Sequence, residues 1–121
     1  MVFLLIGITI GLTVAGQLLL KAGLLETGAL PQELGNIPTF LVGALTNAKV
    51  AGGLLLAFFA ALAWIGAVSL SAISFAYPFM ALAIVLTLAL SGVVFGEQVP
   101  LSRWLGVAVV CLGLILAARE R

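Results

Sequence analysis

Between Val2 and Leu25 the side chains able to hydrogen-bond or carry charge are Thr9, Thr13, Gln17 and Lys21, spaced four apart in an otherwise apolar run. In a helix that spacing drifts only about 40° per step, so the four form a stripe along one face. In water such a stripe would be ordinary; inside a bilayer it cannot face lipid without cost. A lysine at the centre of a spanning helix is disfavoured by about 2.5 to 3.5 kcal/mol on insertion scales, so such groups turn toward other helices or a wet cavity. The chemistry open to this set is recognition rather than bond-making. An ammonium attracts an anion, an amide both donates and accepts, and a hydroxyl adds a further contact. We therefore read Gln17 and Lys21, with Thr13 beside them, as one wall of a substrate path. The structural alternative has the threonines bonding their own backbone, Gln17 joining helices and Lys21 snorkelling to the interface.

Composition says what kind of chain holds the stripe. Its 121 residues are 64% hydrophobic and 7% charged, with a mean hydropathy of +1.40, whereas a soluble domain is roughly 25% charged. An integral, multi-pass membrane protein is expected. Histidine and aspartate are absent and Cys111 is the single cysteine, which excludes a histidine-based triad, a Cys/His metal site and an intrachain disulfide. No catalytic residue, metal site or cofactor is expected, and the chain reads as a non-enzyme. A net charge of +1 without a basic cluster leaves no footprint for nucleic acid.

Four apolar segments are long enough to be helices, at about 2–25, 50–70, 74–96 and 103–118, within one membrane domain covering 1–121. The first lacks the positive n-region of a secretory signal and is expected to be retained. Gly7 and Gly11 are four apart in it, a close-packing pattern, and Gly16 lies beside the polar stripe, where a partner helix or a ligand can come near. Residues 26–49 form a connecting loop with two glutamates and two prolines. Within it Ile37, Phe40, Leu41, Ala44, Leu45 and Ala48 fall at helical spacing, which predicts a short helix lying in the membrane interface.

The second segment carries Trp64, about seven residues from its end, where an indole needs a partner or a cavity; it is either a wall residue or a packed aromatic. The uncharged link 69–74 is too short for anything but an antiparallel hairpin. Ala76-Tyr77-Pro78 opens the third segment, making Tyr77 a contact candidate and Pro78 either a hinge, because proline inside a helix frees the carbonyl four residues back and bends the axis, or simply a mark of the first helical turn. Gly92 and Gly96 form a second close-packing pattern. Glu97 begins the next loop as a solvated carboxylate or a partner of Arg103, and Ser102 is placed to cap the last helix. That helix offers Gly106, Val109, Val110 and Gly113 on one face, a seam for dimerisation. Arg119, Glu120 and Arg121 are expected in water. With both termini on one side, Lys and Arg are nearly balanced across the membrane, so the charge rule sets no orientation.

Val14-Ala15-Gly16-Gln17 with Lys21, then Trp64, Ala76-Tyr77-Pro78, Gly96-Glu97 and Trp104-Leu105-Gly106-Val107 resemble the drug/metabolite transporter superfamily in its four-helix form, over essentially the whole chain. The likeness is greatest to EamA-type proteins such as the small subunits of the 4-amino-4-deoxy-L-arabinose-phosphoundecaprenol flippase. It implies an all-α membrane protein of four transmembrane helices plus a short interfacial helix between the first two, working as a homodimer or as a heterodimer with a similar four-helix chain. It further implies movement of a polyprenyl-phosphate-linked sugar across the inner membrane, with membrane lipid as partner and Gln17, Lys21 and Tyr77 at the head group. The small multidrug resistance family, which exports cations, is the competing branch. Aligned with it, Thr13 stands where its membrane-embedded glutamate belongs, and no carboxylate lies in any predicted span. A scaffold subunit that pairs with a larger protein through its glycine seams is the third reading.

Overall fold

The computed structural model describes residues 1–119, and Glu120 and Arg121, expected in water, lie outside them. Helix α1 (Val2–Thr27) is followed by a 3-10 turn at Leu34–Asn36, then by α2 (Ile37–Thr46) and α3 (Ala48–Leu70). The chain continues through α4 (Ile73–Ala76), a 3-10 segment at Tyr77–Met80, α5 (Ala81–Phe95) and α6 (Leu101–Ala118). The described residues contain no strand. Val2–Thr27, Ala48–Leu70 and Ile73–Phe95 are each long and apolar enough to cross a membrane. This fits an all-α, multi-pass membrane protein. α6 is apolar over Leu101–Ala117 and is shorter than these three.

α1 and α3 form the central antiparallel pair. A Cβ added at Gly66 would touch Leu5, one at Gly52 would touch Leu19, and one at Gly23 would meet Val50, so the two axes stay together along most of their length. The closest approach is Gly16 to Gly53, where an added Cβ on either residue would come within 2.9 Å of the other's carbonyl oxygen. Small residues permit that approach in a membrane, where packing replaces the hydrophobic effect between helices. The close-packing role expected of Gly7 and Gly11 therefore belongs to Gly16 and Gly53; no atom lies within 4 Å of a Cβ added at Gly7 or Gly11. Similarly, Gly96 does not pair with Gly92 against a neighbour. It ends α5 at φ +66°, the left-handed conformation that glycine adopts without steric cost.

The third span runs parallel to α1. Phe3 meets Phe75 and Phe79 edge-on, with ring centroids 6.2 and 5.8 Å away, fixing the start of α1 beside the start of the span. Pro78 is buried at the 3-10 segment. Lacking an N–H, it cannot continue the four-residue ladder, and the backbone tightens for one turn before α5 resumes. α6 returns antiparallel to this span, and none of its described side chains is buried.

The core is thin and made of small side chains. Ile6, Ile10, Val14, Ala67, Ala76 and Ala83 form its cluster, and among the described residues no large side chain is fully buried. Most leucines and many other large apolar side chains face outward, for example Leu4, Phe58, Ile65 and Leu112. A soluble chain would aggregate through such a surface, whereas lipid tails solvate it.

Asn47 starts α3 by accepting from the backbone N–H groups of Lys49 (2.9 Å) and Val50 (3.2 Å). Its amide donates to Glu26 Oε2 at 3.0 Å, and Lys49 Nζ meets Glu26 Oε1 at 2.6 Å. One carboxylate thus ties the end of α1 to the start of α3 and closes the loop that carries α2. Ser102 does not cap α6: the helix begins at Leu101 behind Pro100, so Ser102 is already inside its first turn. Glu97 and Arg103 are not paired, and the ion pair found among the described residues is Lys49–Glu26.

Candidate functional site

The polar stripe of α1 divides by depth. Thr9 is buried, and its hydroxyl donates to the Leu5 carbonyl at 2.8 Å, the self-contained role available to any helical threonine. Thr13 is half-buried, while Gln17 and Lys21 reach the surface of the isolated chain. None of these three makes a side-chain hydrogen bond to another described residue. Their functional groups are available to something else.

Two grooves open along the stripe. The first, about 310 Å³, is lined by Thr9, Thr13 and Gln17 of α1, by Ala57, Ala60, Ala61 and Trp64 of α3, and by Tyr77 and Met80. Alanines on α3 leave the space, and the aromatic pair closes one end. Trp64 and Tyr77 stand edge to face with centroids 5.9 Å apart, a favoured arrangement for aromatic rings. Trp64 is packed on Tyr77 and also lines the groove.

The second groove, about 540 Å³, lies between α1 and α5. Thr13, Gln17 and Lys21 face Thr87 and Ser91 across it, with Leu18, Ala83, Ile84, Leu88 and Phe95 as apolar wall and Glu97 at its end. Ser91 donates to the Leu88 carbonyl at 2.9 Å, which leaves its oxygen free to accept. The grooves share Thr13 and Gln17. The structure therefore gathers all five expected substrate contacts, Thr13, Gln17, Lys21, Trp64 and Tyr77, around two adjoining spaces.

Glu97 is the addition. Sequence reasoning treats it as a loop carboxylate, yet the tight left-handed turn at Gly96 returns it to the mouth of the groove that contains Lys21. Both charged groups lie near the same end of the bundle, and neither is ion-paired with another described residue. Thr87 and Ser91 were also missed, although their spacing of four repeats the pattern of α1 and was available in the sequence. No His/Cys/Asp/Glu cluster able to hold a metal is found among the described residues.

The remaining expected positions lie elsewhere. Pro78 is buried next to Tyr77, at the break between α4 and α5. On α6, Val109 and Val110 are exposed, and a Cβ at Gly106 or Gly113 would have no neighbour within 4 Å. That face is uncovered in the single chain.

No family model, curated protein or solved structure matches this chain. The functional reading rests on the geometry and the resemblance of the motifs.

Proposed function

We propose that this chain is a transporter or flippase subunit of the four-helix EamA type, moving a polyprenyl-phosphate-linked sugar or similar amphipathic anion across the inner membrane. The observation that carries the reading is the pair of adjoining grooves on α1, with Lys21 at one end, Gln17 at their junction and Trp64–Tyr77 at the other. Lys21 supplies the charge for a phosphodiester. Gln17, Thr13 and Tyr77 offer donors and acceptors to sugar and phosphate oxygens. The apolar walls suit the first part of an isoprenoid chain, whose remainder stays in lipid. Glu97 adds a counter-charge that favours a head group carrying an amine. A fourth crossing by α6 completes the bundle; its 18 residues rise about 27 Å, short enough to require local thinning of the bilayer. A dimer paired through Gly106, Val109, Val110 and Gly113 encloses the open grooves between two copies or two similar chains.

Reconstitution into liposomes with a fluorescent polyprenyl-phosphate sugar tests this. Transbilayer movement should require the wild-type chain and fall at least tenfold in Lys21→Ala, while Lys21→Arg retains most of it. Movement of the lipid by Lys21→Ala at the wild-type rate refutes the assignment. A scaffold reading draws on the uncovered face of α6; it is supported if the chain alone moves nothing but co-purifies with a larger membrane protein through that face. Export of a lipophilic cation without movement of the lipid favours the drug-exporter alternative.

A further inference from the structure

A third groove, of about 500 Å³, lies on the opposite side of the third span from the site above. Phe75, Phe79 and Leu82 form one wall, Cys111 and Ile115 of α6 form the other, and Arg119 stands at one end. Cys111, Ile115 and Arg119 are spaced four apart and share one face of α6. At 100° per residue, Gly106, Val109, Val110 and Gly113 fall on roughly the opposite face. Pairing through the glycine seam therefore leaves this groove open to its surroundings. The same arithmetic separates Leu82 from Ala83, Thr87 and Ser91 on α5, so the groove shares no residue with the proposed transport path.

Its chemistry is sharply divided. The interior is hydrocarbon and aromatic, and among the described lining residues the charge is the Arg119 guanidinium, where the apolar length of α6 ends. No carboxylate among the described residues pairs with Arg119. We propose that this groove is a binding site for an acidic phospholipid, with one acyl chain against Phe75, Phe79 and Leu82 and the phosphate held by Arg119. The charge at the mouth selects the occupant: arginine forms paired hydrogen bonds to phosphate oxygens, and a lipid without a compensating cation leaves that attraction undiminished. Arg119 lies at the end of the bundle opposite Lys21, so this lipid is bound in the other leaflet from the head group at Lys21.

Cys111, the chain's single cysteine and half-buried in the groove wall, provides the readout. The purified chain in mild detergent is titrated with phosphatidylglycerol or with phosphatidylcholine of the same acyl chains, and the rate of Cys111 alkylation by a maleimide is followed. Phosphatidylglycerol should slow alkylation at a concentration roughly fivefold lower, the preference expected from one arginine near a lipid surface. Arg119→Gln should erase the difference and Arg119→Lys should keep most of it. Leu82→Trp, which fills the groove, should slow alkylation without lipid and remove any lipid effect. Equal protection by both lipids, or a preference that survives Arg119→Gln, overturns the role of the arginine. No protection by either lipid, or full lipid dependence in Leu82→Trp, overturns the groove as the site. None of these outcomes depends on transport activity.

Discussion

Replacing Gly53 by alanine puts a methyl group into the closest contact in the molecule. The new Cβ would lie 2.7 Å from the Gly16 carbonyl oxygen, 2.9 Å from the Leu20 nitrogen and 3.2 Å from the Leu20 Cα. All three are backbone atoms of α1, so no side chain can rotate away. Ordinary contact begins near 3.4 Å, and the helices must separate locally by about 0.7 Å. Overpacking of this kind costs about 1–3 kcal/mol. Glycine-to-alanine inside a helix also gains about 0.5–1 kcal/mol, so the net loss should be about 1 kcal/mol and at most about 2.5 kcal/mol. Gly7→Ala supplies the internal control. It has the same chemistry and lies in the paired helix α1, but nothing lies within 4 Å of the new atom, so it should be neutral or slightly stabilising. Thermal unfolding in detergent, followed by the fluorescence of Trp64 and Trp104, should place Gly53→Ala below wild type by on the order of 4 °C per kcal/mol and Gly7→Ala at or above it. Equal midpoints for the two variants would show that the Gly16–Gly53 approach does not hold the central helix pair. Gln17 follows Gly16 directly, so the same displacement should also lower transport.

Three further outcomes follow from particular contacts. Gln17→Ala and Glu97→Gln should each reduce lipid transport in liposomes by about tenfold, the effect of about 1.4 kcal/mol, with unchanged unfolding midpoints because neither side chain bonds another described residue. Asn47→Ala removes both bonds to the first turn of α3 and should cost about 1 kcal/mol; Glu26→Gln, whose ion pair with Lys49 is half-exposed, should shift the midpoint less. Gly106→Leu or Gly113→Leu, at positions open in the single chain, should weaken dimers in native mass spectrometry and leave helix content by circular dichroism unaltered.

The membrane class, the all-helical architecture and the polar stripe of α1 were legible in the residues. Hydropathy is a sum over a window, and a spacing of four is a property of one helix, so neither requires a neighbour to be known. The same holds for Thr9, whose partner is its own backbone, and for the missing N–H of Pro78, which breaks the third span wherever that span packs. Thr87 and Ser91 belong to this group as well, because their spacing already marks a second polar face.

Which glycines make contacts was legible only in part: Gly16 stood out as a point of approach for a partner helix, but its partner Gly53 did not. Gly7-Gly11 and Gly92-Gly96 carry the close-packing spacing as clearly as any pair, yet the approach occurs between Gly16 and Gly53, in different helices 37 positions apart. A small residue permits contact, and only the crossing of two axes decides where contact happens. Ser102 shows the same limit locally, because the helix is capped at Pro100 and so starts two residues too early for a serine cap. Charge pairing was equally hidden: Glu26 and Lys49 meet although 23 residues separate them, whereas Glu97 and Arg103, six apart, do not. Coulomb attraction acts through space, and the turn at Gly96 places Glu97 at the groove of Lys21. The sequence by itself determined that the chain is a bundle of apolar helices with a polar line along the first. The tertiary structure alone decided that this line borders two joined grooves and that a carboxylate from a distant loop stands at the end of one, because each groove is bounded by at least two elements and no single element records the position of the other.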